Sequence, residues 1–234
     1  MSFLLYADSI PITKKISVKI PTVGEIIENE EEYYEAVTAV TATPSDMMVQ
    51  LDDMGIDFTQ ISEFELFCML FSSLHGKNTH LLFGELDLSD FKLAANSQNE
   101  TVVLRDETED INIDKSVHHK ISNALRQINF IEKAVKRPAN EEAKKFLIER
   151  ARIKQNRAKP HQSQLEELIV AMVNTGQFPY NFETVKSISI YQFNASIRQI
   201  VKKDNYDNIM TGCYAGTVNI KDIHPRQLNW LSNK

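Results

Sequence analysis

Cysteine, glycine and proline are scarce in this 234-residue chain, which holds 2 Cys, 7 Gly and 7 Pro. Two cysteines, Cys68 and Cys213, make neither a disulfide framework nor a zinc spacing. So few chain-breaking residues exclude a collagenous or low-complexity chain and argue against a loop-rich β protein. No apolar run approaches the roughly 18 residues that a membrane helix needs. The opening Met1–Tyr6 is apolar but too short for a secretory signal core, and no basic stretch precedes it. The expectation is a protein of a reducing cytoplasm, without a membrane partner.

Catalytic signatures are missing too. There is no phosphate loop, dinucleotide fingerprint, nucleophile elbow or zinc spacing. His118 and His119 are neighbours on a helical stretch, so their side chains point about 100° apart and share one metal poorly. Asp52, Asp53 and Asp57 lack the glycine and terminal glutamate of a calcium loop. The acids Glu28, Glu30, Glu31, Glu32 and Glu35 crowd one helix, where they would be solvated and mutually repelling. Acid–base catalysis needs instead a pair tuned apart by its surroundings. The sequence therefore predicts no catalytic residues, no metal ligands, no bound cofactor, and a non-enzymatic role.

What the chain does have is a lopsided charge. Residues 1–115 carry 22 Asp/Glu against 7 Lys/Arg, whereas residues 116–234 carry 10 against 19. Asymmetry of this kind points to a partner surface, inside the molecule or outside it.

Strand and helix signals divide the same way. Ile16, Val18 and Ile20 alternate with polar residues and predict a half-buried strand, paired with Phe3–Tyr6 in an N-terminal β-hairpin. Thr22–Glu25 and Ser62–Glu65 are capping boxes, opening helices to about Val40 and Gly76. Thr43-Pro44 predicts a further helix stopped at Gly55. Leu81–Phe83, Phe91–Ala95, Thr101–Leu104 and Ile111–Ile113 read as short strands, with a turn across Asn96–Glu100.

From Asp114 the apolar residues Val117, Ile121, Ala124, Ile128, Ile131 and Val135 recur in a 4-3-4-3-4 seam. Arg137–Asn140 breaks this helix, and Asn140 caps a second one ending near Lys159-Pro160. So short a break predicts an antiparallel helical hairpin. Helices follow at Ser163–Thr175 and from the capping box Ser189–Gln192. The predicted fold class is α+β and predominantly α-helical. An acidic α+β region (1–113) leads to a basic helical hairpin (114–160) and a C-terminal helical bundle (161–234).

The basic helix is the candidate site. Between Lys133 and Lys159 lie 10 Lys/Arg and 3 Glu. Lys144, Lys145, Arg150, Arg152, Lys154, Arg157 and Lys159 are the predicted partner-binding residues. Three readings stay open for them: a solvated face paired with the acidic half, a protein-binding surface, or a nucleic-acid contact. Used between subunits, the same charge complementarity would drive head-to-tail self-association.

Two groups of residues carry a family resemblance. One is Lys19–Ile26 with the run Met48–Phe58, and the other is Ile190–Asn194 with Gly212–Gly216 and Leu228–Trp230. Together they resemble proteins encoded by tailed phages of Firmicutes in or near the tail-morphogenesis genes. The order of a small β element followed by helices is similar to that of the tail assembly chaperones of such phages. The resemblance implies a factor that shields a tape measure or tail tube protein in the host bacterial cytoplasm, or else a virion component of the tail or neck.

Overall fold

The computed structural model describes residues 4–74, 79–95, 102–156 and 163–231. The fold is α+β with helix predominant, as the periodicities predict. After a 3-10 turn at Leu4–Tyr6, β1 (Ser9–Pro11) and β2 (Ser17–Lys19) form an antiparallel hairpin in which Ile10 faces Val18. The strand opposite Ile16–Ile20 is thus Ser9–Pro11, not Phe3–Tyr6. The turn closes early because the amides of Ile12 and Thr13 both donate to Ile16 O.

Thr22 then caps α1 (Val23–Ile27) through a complete capping box with Glu25. The helix does not run on to Val40. It breaks at Glu28–Asn29 and restarts as α2 (Glu30–Thr41), which places Glu30, Glu31 and Glu32 in a first turn, at the positive end of the helix dipole. Thr43 and Asp46 cap one another at a turn, and α3 (Met48–Asp53) follows. Gly55, at a φ of 71°, ends it. Ser62 opens α4 (Glu63–Leu70) with a second complete capping box.

Leu81–Phe83, read as a strand, is instead the helical turn α5 (His80–Phe83). All three are buried, and an apolar run that short carries no period to tell the two apart. The strands β3 (Lys92–Ala95), β4 (Val102–Asp106) and β5 (Ile111–Ile113) form an antiparallel sheet in that order, close to the predicted bounds. The turn expected at Asn96–Glu100, the helix stop at Gly76 and the break at Lys159-Pro160 lie outside the described residues.

Asp114 caps α6 (Lys115–Asn129), whose Ile121, Ala124, Leu125 and Ile128 are buried. The seam fails beyond that point. Phe130 takes a left-handed conformation at φ 55°, and the Ile131 amide reaches back to Arg126 O at 2.9 Å, a Schellman-type ending. The strained backbone is held by the ring, which packs 5.2 Å from Tyr191 and carries the Arg198 guanidinium at 5.8 Å. Ile131 and Val135 are consequently exposed in an extended connector. That connector is tied down by Thr43 Oγ1 on Ala134 O, by the Lys136 amide on Ser45 Oγ, and by the Lys133–Glu63 ion pair. It joins α6 to α7 (Glu141–Asn156), which packs against α3. The link between these two helices is therefore longer than the sequence break suggested.

Then come α8 (Gln164–Val173), a 3-10 turn at Thr184–Ser187, and α9 (Ile190–Tyr214). Ser189 starts α9 with a third complete capping box. Thr22 and Ser189 form an antiparallel bridge, with the Val23 amide on Ile188 O and the Ile190 amide on Pro21 O, both at 2.9 Å. One hydrophobic core receives Val18 and Val23, Ile121 and Ile128, and Leu165, Ile190 and Phe193, so all three predicted regions share it.

At the bridge α1 passes so close to residues 184–187 that a Cβ on Gly24 would sit 3.0 Å from the Lys186 carbonyl oxygen. A backbone oxygen cannot swing away as a side chain can. Gly24→Ala is therefore expected to lower stability by about 1 kcal/mol and Gly24→Val by more, both read from urea midpoints.

Candidate functional site

The basic helix α7 has two unlike faces. Asn140 Oδ1 accepts from the Ala143 amide at 2.8 Å and caps it, and Glu141 and Glu142 occupy the first turn. Its inner face carries Leu147, Ile148 and Ala151, which pack on Met48, Val49 and Leu51 in a satellite cluster. At the edges of that face Lys144 Nζ lies 2.9 Å from Asp57 and 2.7 Å from Glu141. Arg152 reaches Asp52 at 3.0 Å and Asp53 at 2.8 Å. The Thr59 amide first, and then Lys144, hold the Asp57 carboxyl down at about 2.

Lys144 and Arg152 are thus committed inside the chain. Besides Glu141, the acids they meet are Asp52, Asp53 and Asp57, not the run Glu28–Glu35. Lys145, Arg150 and Lys154 are exposed and make no ion pair among the described residues. Arg157 and Lys159 lie outside the described residues. The spacing that marked the helix as basic could not separate these two sets. Their difference comes from α3, a hundred residues away along the chain.

A cleft of about 980 Å³ opens between the connector, residues 58–64 and the start of α6. Phe58, Ile61 and Val135 supply apolar wall, and Lys115, Lys136 and Arg137 give the rim positive charge. Behind it is a cluster that the sequence did not announce. Arg126 is 5% exposed and donates to Thr41 O and to Glu63 Oε2, while Lys133 holds the other Glu63 oxygen. Burial alone would raise the Glu63 carboxyl, but Lys133 and then Arg126 outweigh it and keep it below its ordinary value. Removing the carboxylate leaves a buried guanidinium without its counter-ion. Glu63→Ala should therefore cost about 2–3 kcal/mol, whereas Lys133→Ala, at the wet edge, should cost less than about 1 kcal/mol. Chemical denaturation of both variants checks the order.

His118 is also core. Its ring stacks on Phe67 at 4.4 Å, and Nε2 donates to Val40 O at 3.0 Å. His119 points away, beside Asn123, so the pair does not converge on one ligand. Among the described residues no three His, Cys, Asp or Glu side chains gather as metal ligands. No helix there is long and apolar enough to cross a membrane.

The C-terminal segment has its own geometry. Beyond Phe193 no side chain of α9 is buried. The tail folds back along it: the Val218 amide bonds Gly212 O at 3.1 Å, Gln199 donates to Trp230 O at 2.9 Å, and Lys203 lies over the Trp230 ring. Residues 154–234 match the family model described as YomV second domain. That family is phage-associated, from Bacillus prophages. No curated protein and no solved structure matches the chain. The matched segment begins inside α7 and takes in α8, α9 and the returning tail, yet its Leu165, Ile169, Met172 and Phe193 close the same core as α2 and α6.

Burial pushes the His118 imidazole down to about 4, against an ordinary value near 6.5. The unfolded chain therefore binds this proton more readily than the folded one. Stability is complete above pH 6.5 and declines as pH falls towards 4. Between pH 6.5 and 5 the loss should be about 1.5 kcal/mol. A His118→Asn variant, less stable overall, should lack that slope in urea titrations over the same window.

Proposed function

We propose that this chain is a non-enzymatic phage tail-morphogenesis factor, acting as an assembly chaperone that binds a tape measure or other tail protein. The observation that carries this reading is the coincidence of the phage-associated match with a helix whose distal half packs only partly on its own chain. α9 is 25 residues long; Ile190 and Phe193 are fully buried, Tyr191, Ile197 and Ile200 pack partly on the core, and no apolar residue beyond Ile200 is packed there. Helices in proteins owe most of their stability to tertiary packing. A helix whose distal half is only partly packed is suited to completing its packing on a partner. Val201 and Tyr214, at 52% and 83% exposure, are apolar surface available for that contact.

A second reading, a structural component of the tail or neck, uses the same surface in the finished particle. The nucleic-acid reading is weakened by Lys144 and Arg152, which are neutralised by aspartates instead of being presented to phosphates.

Co-expression with the tape measure protein of the same phage tests the proposal. The tape measure should become soluble and co-purify, and Val201→Glu with Tyr214→Glu should reduce recovery several-fold while leaving the circular dichroism unchanged. A tape measure equally insoluble with and without this chain would refute the chaperone reading. Stoichiometric recovery of the chain from mature virions would move it to the structural one. Duplex DNA binding that weakens steeply with salt would favour nucleic acid instead.

A further inference from the structure

The face of α7 opposite Ile148 is built like one side of an interface. Phe146, Arg150, Ile153 and Lys154 fall at i, i+4, i+7 and i+8, a single stripe on a helix. Phe146 and Ile153 are 61% and 47% exposed. The two cations between and beside them have no acidic partner among the described residues. The inner residues Lys144, Ile148 and Arg152 are held by α3 and Asp57, which leaves the stripe exposed, with Arg150, Ile153 and Lys154 at the edge of the groove between α7 and α3.

A groove of about 530 Å³ elsewhere on the chain has the complementary character. Its apolar residues Ile27, Val170 and Phe182 are 44%, 47% and 51% exposed. Glu30, Glu166 and Glu183 line it with negative charge against the single cation Lys186. The Glu30 carboxylate accepts from two uncharged donors, Ser163 Oγ and the Leu165 amide, so its charge is not cancelled. Lys186 offsets Glu183 only loosely, at 3.6 Å. Glu28, Glu31 and Glu32 continue the acidic surface along α1 and α2, and all are exposed.

We infer that a second copy of this chain is the occupant of the groove: the outer stripe of α7 docks between α1, α8 and residues 182–186 of the next molecule. Both halves of the contact pair apolar side chains with charge, and the signs are opposite. Arg150 and Lys154 on the stripe and Glu166 in the groove make no ion pair among the described residues. The two surfaces differ, so the contact is heterologous and repeats head to tail, closing as a ring or extending as a filament. Val201 and Tyr214 belong to neither surface, so this inference and the tail-protein partner fail or succeed separately.

Sedimentation of the intact protein decides it. Wild type should associate at micromolar concentration in low salt, with its apparent Kd rising about tenfold or more in high salt. Arg150→Glu/Lys154→Glu should be monomeric, and so should Glu166→Lys/Glu183→Lys. An equimolar mixture of the two variants should associate again, because each offers the surface that the other's altered face requires. That recovery also shows that both variants are folded. A wild type that stays monomeric in low salt, or variants that do not recover on mixing, would overturn the inference.

Discussion

Everything in this fold depends on how α1 and α9 begin. Both start from capping boxes, and the two cap residues, Thr22 and Ser189, are bridged to one another. The bridge joins residues far apart in sequence, so it carries a large loop-closure cost that only cooperative burial can offset. Val23 and Ile26 on one side and Ile188, Ile190 and Phe193 on the other supply it, each at 6% exposure or less. Gly24 is what lets the two sides approach. Because this closure is shared, the acidic and basic halves build one core, and the segment matched by the family model depends for its core on residues outside it.

The charge asymmetry is not what holds the halves together. The pairs from α7 to Asp52 and Asp53 are half-exposed on both sides, and pairs of that kind contribute about 0–1 kcal/mol each. They fix how α7 is turned on α3, which decides which of its basic residues face outward. The Arg126–Glu63 pair works differently. Its guanidinium is out of water, so its loss would be felt as an uncompensated charge, not as a missing contact. Similar residue types thus do two jobs, and depth is what separates them. Charge left unmatched at the outer surface has its main effect on encounter and register with other molecules.

The features legible in the sequence were those settled by neighbours in sequence. All three capping boxes formed, as did the helix start near Asp114, the Asn140 cap and the stop at Gly55, because each needs only a few consecutive residues. Features decided by distant packing were missed. The seam through Ile131 and Val135 was a sound helical pattern, but Phe130 finds Tyr191 and Arg198, and the chain leaves the helix to follow them. Leu81–Phe83 has no period long enough to read. At the site, the basic character of α7 was visible, but its division into committed and outward residues was not, since Asp52, Asp53 and Asp57 set it from across the fold. In the sequence His118 stands out only as a poor metal ligand beside His119, and Arg126 not at all. Their burial follows from α2 and α4 packing over them, which no local pattern records.

The uneven burial of α9 extends this argument to function. Its first turn is clamped into the core, whereas beyond Ile200 it is held by Gln177 on Asp204 and by the tail that returns from Gly212 to Trp230. Local opening costs least where few apolar contacts would be lost, and no apolar residue of α9 beyond Ile200 packs on the core. The attachment of the tail is nonetheless specific: Val218 lies so close to Gly212 that a Cβ there would meet its methyl at 2.7 Å. A helix rooted rigidly and finished loosely can present one surface to its own tail and exchange it for another without disturbing the core. α7 carries its outer stripe differently, on a helix whose inner face is packed along α3. A partner that has to be taken up and later given up is better served by α9, and a repeating contact between identical copies by α7.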